Sequence, residues 1–269
     1  MLHTWFDPSF LLVEICAATS VICWLLSVVT REYSWVDRIW SIAPVAYVWV
    51  VAAQTHFGDA RVNLITALVS AWGARLTYNF ARKGGYKAGG EDYRWAVLRE
   101  RLGPVGFQLF NLTFIAPFQN VLLLLIVAPV VAAAQHAQPL GLVDLALGAL
   151  FVVFLAVETV ADEQQWRFQE AKAARKARQE AGPDFCTTGL FRFSRHPNFF
   201  SEVSLWWVIY AFGVLATGEW LHWSGLGALV LTGLFQGSTA MTEGISKSKY
   251  PAYAEYQRRT SRLLPWPPR

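Results

Sequence analysis

Residues 140–161 read LGLVDLALGALFVVFLAVETVA, a stretch in which two side chains are charged. A helix needs about 20 predominantly apolar residues to cross the hydrocarbon core of a bilayer. The stretch therefore predicts a membrane-spanning helix. The rest of the chain is similar: 54% of its 269 residues are hydrophobic and 16% are charged, whereas a soluble domain carries about 25% charged residues. This composition argues against a disordered chain or an ordinary soluble enzyme.

Seven stretches meet or approach this length and predict an all-α, polytopic membrane protein with about seven transmembrane helices. They are residues 10–29, 40–57, 62–80, 107–134, 140–161, 199–216 and 221–241. We expect one membrane domain over residues 1–269. Its N-terminal part, residues 1–106, holds spans one to three and a basic loop. Residues 107–269 hold spans four to seven and the expected cofactor-binding half.

Lysine and arginine fall almost entirely on one side of the predicted spans. Among the 23 basic residues, Arg61 alone lies on the other side. Because cytoplasmic loops carry an excess of Lys and Arg, this pattern predicts an external N-terminus and a cytoplasmic C-terminus. We expect a bacterial-type inner membrane, with the cofactor site facing the cytoplasm. Membrane lipids explain the net charge of +4, and no nucleic-acid partner is expected.

Residues 189–202 read GLFRFSRHPNFFSE and are the richest candidate for chemistry. Pro197 fits the first turn of a helix, whose free N–H groups suit a phosphate. Asn198 and Glu202 lie four residues apart on one helical face, where an amide and a carboxylate can bind an amide or a ribose. A snorkelling basic collar is the alternative. The other polar groups of the segment are Arg192, Ser194, Arg195 and His196.

Polar clusters lie near the cytoplasmic ends of two predicted spans. Glu158 and Asp162 share a helical face that Trp166 continues, and they predict contacts with an amide, a ribose or an arginine. An ion pair with a neighbouring helix is the alternative. The second cluster precedes a glycine-rich stretch that can wrap a phosphate closely or form a flexible basic loop. Its members are Arg75, Tyr78, Arg82 and, beyond the glycines, Arg94.

The C-terminal segment repeats tyrosine at three-residue steps, and arginines follow. Tyr253 and Tyr256 with Arg258 and Arg259 could hold an adenine and its 2′-phosphate, or anchor the chain at the membrane interface. Glu243 is a further acid near the end of span seven. Five histidines are scattered over both faces, and the three cysteines show no metal-ligand spacing, so we expect no metal.

The 189–202 segment resembles the C-terminal region of the steroid 5α-reductase family, whose pattern runs Gly-Leu-Phe and then Asn-Tyr-Phe-Gly-Glu. Its Arg-His-Pro, residues 195–197, is similar to a motif of sterol reductases and isoprenylcysteine carboxyl methyltransferases, which share a wider membrane fold. The overall likeness is to the uncharacterised bacterial branch of the 5α-reductase group. That branch has stretches similar to Asp37-x-x-Trp40, residues 90–94 and residues 253–261.

The resemblance implies a reductase that uses NADPH. Asn198 and Glu202 match the residues beside the nicotinamide, and Asp162 matches an acid at the ribose. Glu158 stands where the family has Asn, and Arg75 matches an arginine of span three that reaches the cofactor. The looser matches, to phosphate and adenosine contacts, are Arg82, Arg94, Arg167, Arg258 and Arg259.

The part of the chain that would bind the substrate departs from the family pattern. The family's Gln-Glu-Leu-Pro is missing, and Trp72 stands where the family has its carbonyl-polarising tyrosine. Tyr47, Tyr78 or Asp37 would then supply the acid. The catalytic assignments are Glu202, Tyr78 and Asp37.

The reaction implied is hydride transfer to the β-carbon of a lipid-soluble α,β-unsaturated carbonyl, with 3-oxo-4-ene steroids as one candidate substrate. One alternative is a membrane methyltransferase that uses S-adenosylmethionine on the same scaffold. A non-enzymatic membrane protein is another alternative. The many arginines favour the reductase, because a dinucleotide carries phosphates that S-adenosylmethionine lacks.

Overall fold

The computed structural model describes residues 8–268, and their regular structure is helical. Helix accounts for 76% of these described residues, which form no β-strand. Outside the helices of this described part, a parallel bridge joins Ser194 to Ser261. The prediction of an all-α fold is therefore confirmed for this part of the chain.

Eleven α-helices follow one another within the described residues. They are α1 (Pro8–Thr30), α2 (Trp35–Ile39), α3 (Ala43–Gln54), α4 (Ala60–Arg82), α5 (Tyr93–Phe110), α6 (Gln119–Leu125), α7 (Ala128–Gln135), α8 (Leu142–Ala177), α9 (Pro197–Thr217), α10 (Leu226–Lys249) and α11 (Tyr253–Arg259). A π-helix, Asn111–Phe118, joins α5 to α6, and 3₁₀-helices occupy Gly189–Arg192 and Trp223–Gly225.

Four helical segments of the described chain are long and apolar enough to cross a membrane. They are Phe10–Thr30, Tyr93–Gln135, Leu142–Ala177 and Pro197–Thr217. The predicted second span corresponds to α3, which has 12 residues and so covers about 18 Å of a core about 30 Å thick. Helices α4 and α10 have sufficient length but carry more polar residues. The seven-span topology and its orientation remain predictions.

The chain forms two compact units. The first contains the residues up to Gly148 together with Ile209–Ala228, and the second contains Ala149–Val208 together with the residues from Leu229 onward. In the first unit, α3 packs along α4, and α1 packs against the π-helix and α6. The close packing of α3 against α4 depends on Gly73 of α4, because a Cβ at this position would clash with Val45 Cγ2 of α3 at 2.4 Å.

The second unit has a small apolar core in which Ala161 of α8 meets Cys186 and Phe191. Phe185 packs against both Tyr253 and Tyr256 of α11, with ring centroids 5.0 and 5.5 Å apart. These contacts hold the C-terminal helix against the segment that precedes α9.

Candidate functional site

The 189–202 segment passes from a 3₁₀-helix through a short irregular stretch into helix α9 within the second unit. Its first residues form the 3₁₀-helix Gly189–Arg192, and α9 begins at Pro197. Gly189 has φ +61° and lies against the Gln164 amide, so a side chain there would clash. Gln164 Oε1 accepts a hydrogen bond from the Leu190 backbone N–H at 2.9 Å. The motif is therefore anchored to α8 before α9 begins.

Helices α8 and α9 bring an amide and a carboxylate together. Asn198 Nδ2 donates a hydrogen bond to Asp162 Oδ1 at 3.3 Å. One turn further along α9, the Trp206 indole N–H donates to Glu202 Oε1 at 3.0 Å. Asp162 and Glu202 are each 4% exposed, and Glu158 is 3% exposed. Buried acids require polar partners; Asn198 supplies one to Asp162, and Trp206 supplies one to Glu202.

Glu243 of α10 is the centre of a second polar cluster in this unit. Its carboxylate is bound by Arg195, with Nε 2.6 Å from Oε1 and Nη2 3.1 Å from Oε2. His196 Nε2 lies 3.0 Å from Oε1, and Gln257 Nε2 donates to Oε2 at 2.8 Å. Glu243 lies beyond residue 241, where the predicted seventh span ends. It therefore ties α10 to the residues just before α9 and to α11.

The environment of Glu243 keeps it ionised. Burial alone would raise the pKa of this carboxyl, but the hydrogen bonds from His196, Arg195 and Gln257 outweigh it and lower the pKa to about 2. Arg195 also donates through Nη1 to the backbone carbonyls of Gln257 and Thr260. The Arg195 guanidinium is 8% exposed, so its main contacts are within the protein.

The backbone before α9 is paired with the C-terminal segment. The Arg195 N–H donates to the Ser261 carbonyl at 2.8 Å, and the His196 N–H donates to the Arg262 carbonyl at 3.1 Å. Ser194 Oγ donates to the Leu263 carbonyl at 2.8 Å. The C-terminal segment thus holds the backbone that leads into α9, the helix on which Asn198 and Glu202 lie.

The remaining predicted cofactor residues of the second unit differ widely in burial. Tyr253 and Tyr256 are buried, and burial raises the pKa of Tyr256 above its usual range. Trp166 is partly buried on α8. Arg167 is 77% exposed and pairs with Glu163 at 2.7 Å. Arg258 and Arg259 are exposed and share the carboxylate of Glu255.

The first unit contains the other predicted site residues. Arg75, Tyr78 and Arg82 follow one another along α4, and the Arg82 guanidinium lies 5.5 Å from the Tyr78 ring centroid. Tyr78 is 66% exposed, whereas Tyr47 on α3 is fully buried. Arg94 pairs with Asp92 at 2.7 Å.

Asp37 of α2 lies between the first and second predicted spans. Its Oδ2 accepts a hydrogen bond from the Trp95 indole N–H at 3.0 Å. Burial raises the pKa of the Asp37 carboxyl, and the charge of Asp92 acts in the same direction, against the hydrogen bonds of Ser34 and Trp95 and the charge of Arg94. The surroundings of Asp37 therefore favour the protonated form of its carboxyl.

Sequence reasoning missed the acids that organise the glycine-rich loop of the first unit. Glu91 accepts a hydrogen bond from the Tyr33 N–H at 2.7 Å and pairs with Arg99 at 2.9 Å. Glu32 accepts from the Gly89 N–H at 2.7 Å and pairs with Arg38. These carboxylates hold the loop against the end of α1. No spacing rule links residues so far apart in the chain.

Within residues 8–268, no group of three or more His, Cys, Asp or Glu side chains is placed to hold a metal ion.

Residues 23–260 match the protein family described as "Protein of unknown function (DUF1295)". This family is related to steroid 5α-reductase-like membrane proteins. The chain is also similar to an uncharacterized protein of the fission yeast Schizosaccharomyces pombe, with 36% identity over 266 residues. That alignment covers 91% of this chain and 76% of the yeast protein. No solved structure matches the chain.

Proposed function

The chain belongs to the DUF1295 family, and we propose that it is a membrane-embedded reductase. In this proposal it uses NADPH to reduce the C=C bond of an α,β-unsaturated carbonyl lipid. A 3-oxo-4-ene steroid is one candidate substrate.

The observation that carries the proposal is the polar cluster of Asp162, Asn198 and Glu202 on α8 and α9. Asp162 and Glu202, each 4% exposed, and the amide of Asn198 adjoin the apolar stretches of α8 and α9. Burying such groups is costly, and their presence in a spanning helix favours a functional role. An amide next to a carboxylate offers both donors and acceptors, as the carboxamide and ribose hydroxyls of NADPH require.

In this proposal, residues of the second unit bind the polar end of the dinucleotide. Asn198 and Glu202 would bind the nicotinamide carboxamide, and Asp162 with Glu158 would accept hydrogen bonds from the ribose. Arg258 and Arg259 are exposed cations that would neutralise phosphate. Arg195 would hold the start of α9 in place and would not bind the cofactor itself, because its guanidinium is bound to Glu243. When bound, NADPH supplies the hydride.

Reduction of the C=C bond also needs a proton, which this chain's own side chains would deliver. Asp37 is held by a neutral indole N–H, and burial raises the pKa of its carboxyl. It would donate its proton to the carbonyl oxygen of the substrate as the hydride reaches the β-carbon, which gives the enol. The enol would then take a proton from water at its α-carbon and return the oxygen-bound proton to Asp37. Tyr78, which is 66% exposed on α4, is the second candidate donor.

The proposal includes seven spans, an external N-terminus and a cytoplasmic C-terminus in a bacterial-type inner membrane. The four apolar helices support a membrane location. The strong asymmetry of lysine and arginine supports the orientation. In this arrangement the cofactor site faces the cytoplasm, where NADPH is supplied.

Identification of the nucleotide that co-purifies with the chain tests the proposal. The full chain would be purified in detergent and denatured, and the released small molecules would be identified by mass spectrometry. We expect NADP(H). S-adenosylmethionine or its demethylated product, without NADP(H), would contradict the reductase and favour the methyltransferase alternative.

A further inference from the structure

A cavity of about 430 Å³ lies beside the C-terminal segment of the second unit. Its lining includes Arg195, Arg258, Arg259, Thr260, Leu264 and Trp266. None of the described residues that line it is acidic. A cavity of this size accommodates a headgroup or a nucleotide fragment. Its combination of arginines with apolar side chains suits an anion attached to an apolar group.

The cavity lies at the end of an apolar helix. Arg195 precedes Pro197 by two positions, and Pro197 begins the candidate spanning helix Pro197–Thr217. The cavity therefore lies next to the N-terminal end of this candidate span. Leu264 and Trp266 on its lining are 68% and 66% exposed. Exposed tryptophan and arginine side chains together are typical of a membrane–water interface.

The charges around the cavity leave an excess of positive charge. Arg195 is neutralised by Glu243, to which it is bound through two nitrogens. Arg258 and Arg259 share one carboxylate, that of Glu255, with Arg259 Nε 2.5 Å from its Oε1. Two guanidinium groups and one carboxylate carry a net charge of about +1. An anion that entered the cavity would compete with Glu255 for these arginines.

We propose that this cavity binds a phosphate group at the membrane surface through Arg258 and Arg259. Guanidinium groups bind phosphate oxygens in a bidentate manner, which gives both strength and orientation. An anionic phospholipid headgroup and the 2′-phosphate of NADPH both carry this chemistry. The exposed Leu264 and Trp266 favour the phospholipid, whose acyl chains they would contact. The nucleotide source rests on the proposed function.

Two variants with opposite expected effects test the proposal. Arg258→Ala with Arg259→Ala removes the phosphate ligands and should weaken binding about tenfold or more. Glu255→Gln removes the competing carboxylate and should strengthen binding about threefold to tenfold. Lys176→Ala with Arg178→Ala is the matched control, because both side chains are exposed elsewhere in the second unit and the charge change is the same.

The measurement has a lipid arm and a nucleotide arm, both on the full chain in detergent. Phosphatidylglycerol and phosphatidylcholine of equal chain length would be titrated and followed by native mass spectrometry. NADPH and NADH would be titrated in parallel by fluorescence. Phosphatidylglycerol selectivity that falls in the arginine variant and rises in Glu255→Gln assigns the cavity to a headgroup. A selective effect on NADPH over NADH assigns it to the nucleotide phosphate.

Unchanged binding of all four ligands in both variants would overturn the proposal, as would equal losses in the Lys176/Arg178 control. Failure of the proposed function gives a different result. If the wild-type chain binds neither NADPH nor NADH, the reductase proposal fails. The lipid arm then still decides whether the cavity binds phosphate.

Discussion

Arg61 and Asp144 form a buried, bidentate ion pair in the first unit. Arg61 Nε lies 2.5 Å from Asp144 Oδ1 and Nη2 lies 3.1 Å from Oδ2. The two side chains are 3% and 1% exposed. Arg61 is the basic residue that the sequence places on the external side, against the general distribution. The structure explains it as an internal partner of Asp144 near the start of α8.

Replacing Arg61 by Ala should destabilise the protein by about 3–5 kcal/mol, because the Asp144 carboxylate would remain buried without its cation. The midpoint of thermal unfolding in detergent measures the effect. The double variant Arg61→Ala with Asp144→Ala should recover part of the loss. A double variant as unstable as the sum of the two single variants would contradict this coupling.

Glu243→Gln should also destabilise the chain by about 3–5 kcal/mol, since it leaves the Arg195 guanidinium without a charged partner. The loss should loosen the contacts between residues 194–196 and 261–263. Hydrogen exchange of the Arg195 and His196 amides, followed by mass spectrometry of peptides, would report this loosening. Glu170→Gln, an exposed change on α8, is the control and should have no effect on either measurement.

The stability that Glu243 contributes should depend on pH. Its pKa is lowered from an ordinary value of 4.5 to about 2 in the folded chain. The contribution is therefore present above pH 4.5 and is lost as the pH falls from 4.5 towards 2. The difference in unfolding midpoint between the wild-type chain and Glu243→Gln should shrink across this window. A difference that stays constant would show that the carboxylate charge is not responsible.

Asn198→Ala or Glu202→Ala should abolish NADPH-dependent reduction of an enone while the protein remains folded. Both side chains lie at the start of α9, where Asn198 contacts Asp162. Turnover and the unfolding midpoint would be measured for each variant. Gln169→Ala, an exposed change on α8, is the control. Normal turnover in both variants would remove these residues from the site.

Asp37→Asn should reduce turnover but not stability at pH 7. Burial raises the pKa of the Asp37 carboxyl, so the charged form is disfavoured in the folded chain. The free energy of unfolding of the wild-type protein should therefore fall as the pH rises above 3.8, the ordinary pKa of the Asp37 carboxyl. The variant has no carboxyl at this position and should not show this fall. The ionisable neighbours that affect it are Asp92 and Arg94. Unfolding midpoints at pH 4 and pH 7, measured with turnover, check both expectations. A variant with full turnover would exclude Asp37 as the proton donor.

The helices were the most predictable part of the molecule. The stretch 140–161 and the stretches at 10–29 and 199–216 all correspond to long apolar helices, because an apolar run of this length has few other stable conformations in a membrane. The predicted span at 40–57 became the 12-residue helix α3. Hydrophobicity extends past its ends but helix does not, so composition alone overestimated its length.

The candidate site was predicted in part. The i, i+4 spacing placed Asn198 and Glu202 on one face of α9, but the contact between Asn198 and Asp162 joins residues 36 positions apart. Glu243 was recognised as an acid near the end of a span, but its partners were not. Arg195 was expected to face a cofactor, and the structure shows it bound to Glu243.

The sequence by itself determined that this chain is helical and apolar, and that its basic residues are concentrated outside the apolar stretches. These properties are local: they depend on composition and on the length of apolar runs. Only the tertiary structure decided which charges neutralise each other, as for Arg61 with Asp144 and Arg195 with Glu243. Ion pairs of buried side chains need distances of about 3 Å, and such distances are set by how helices pack.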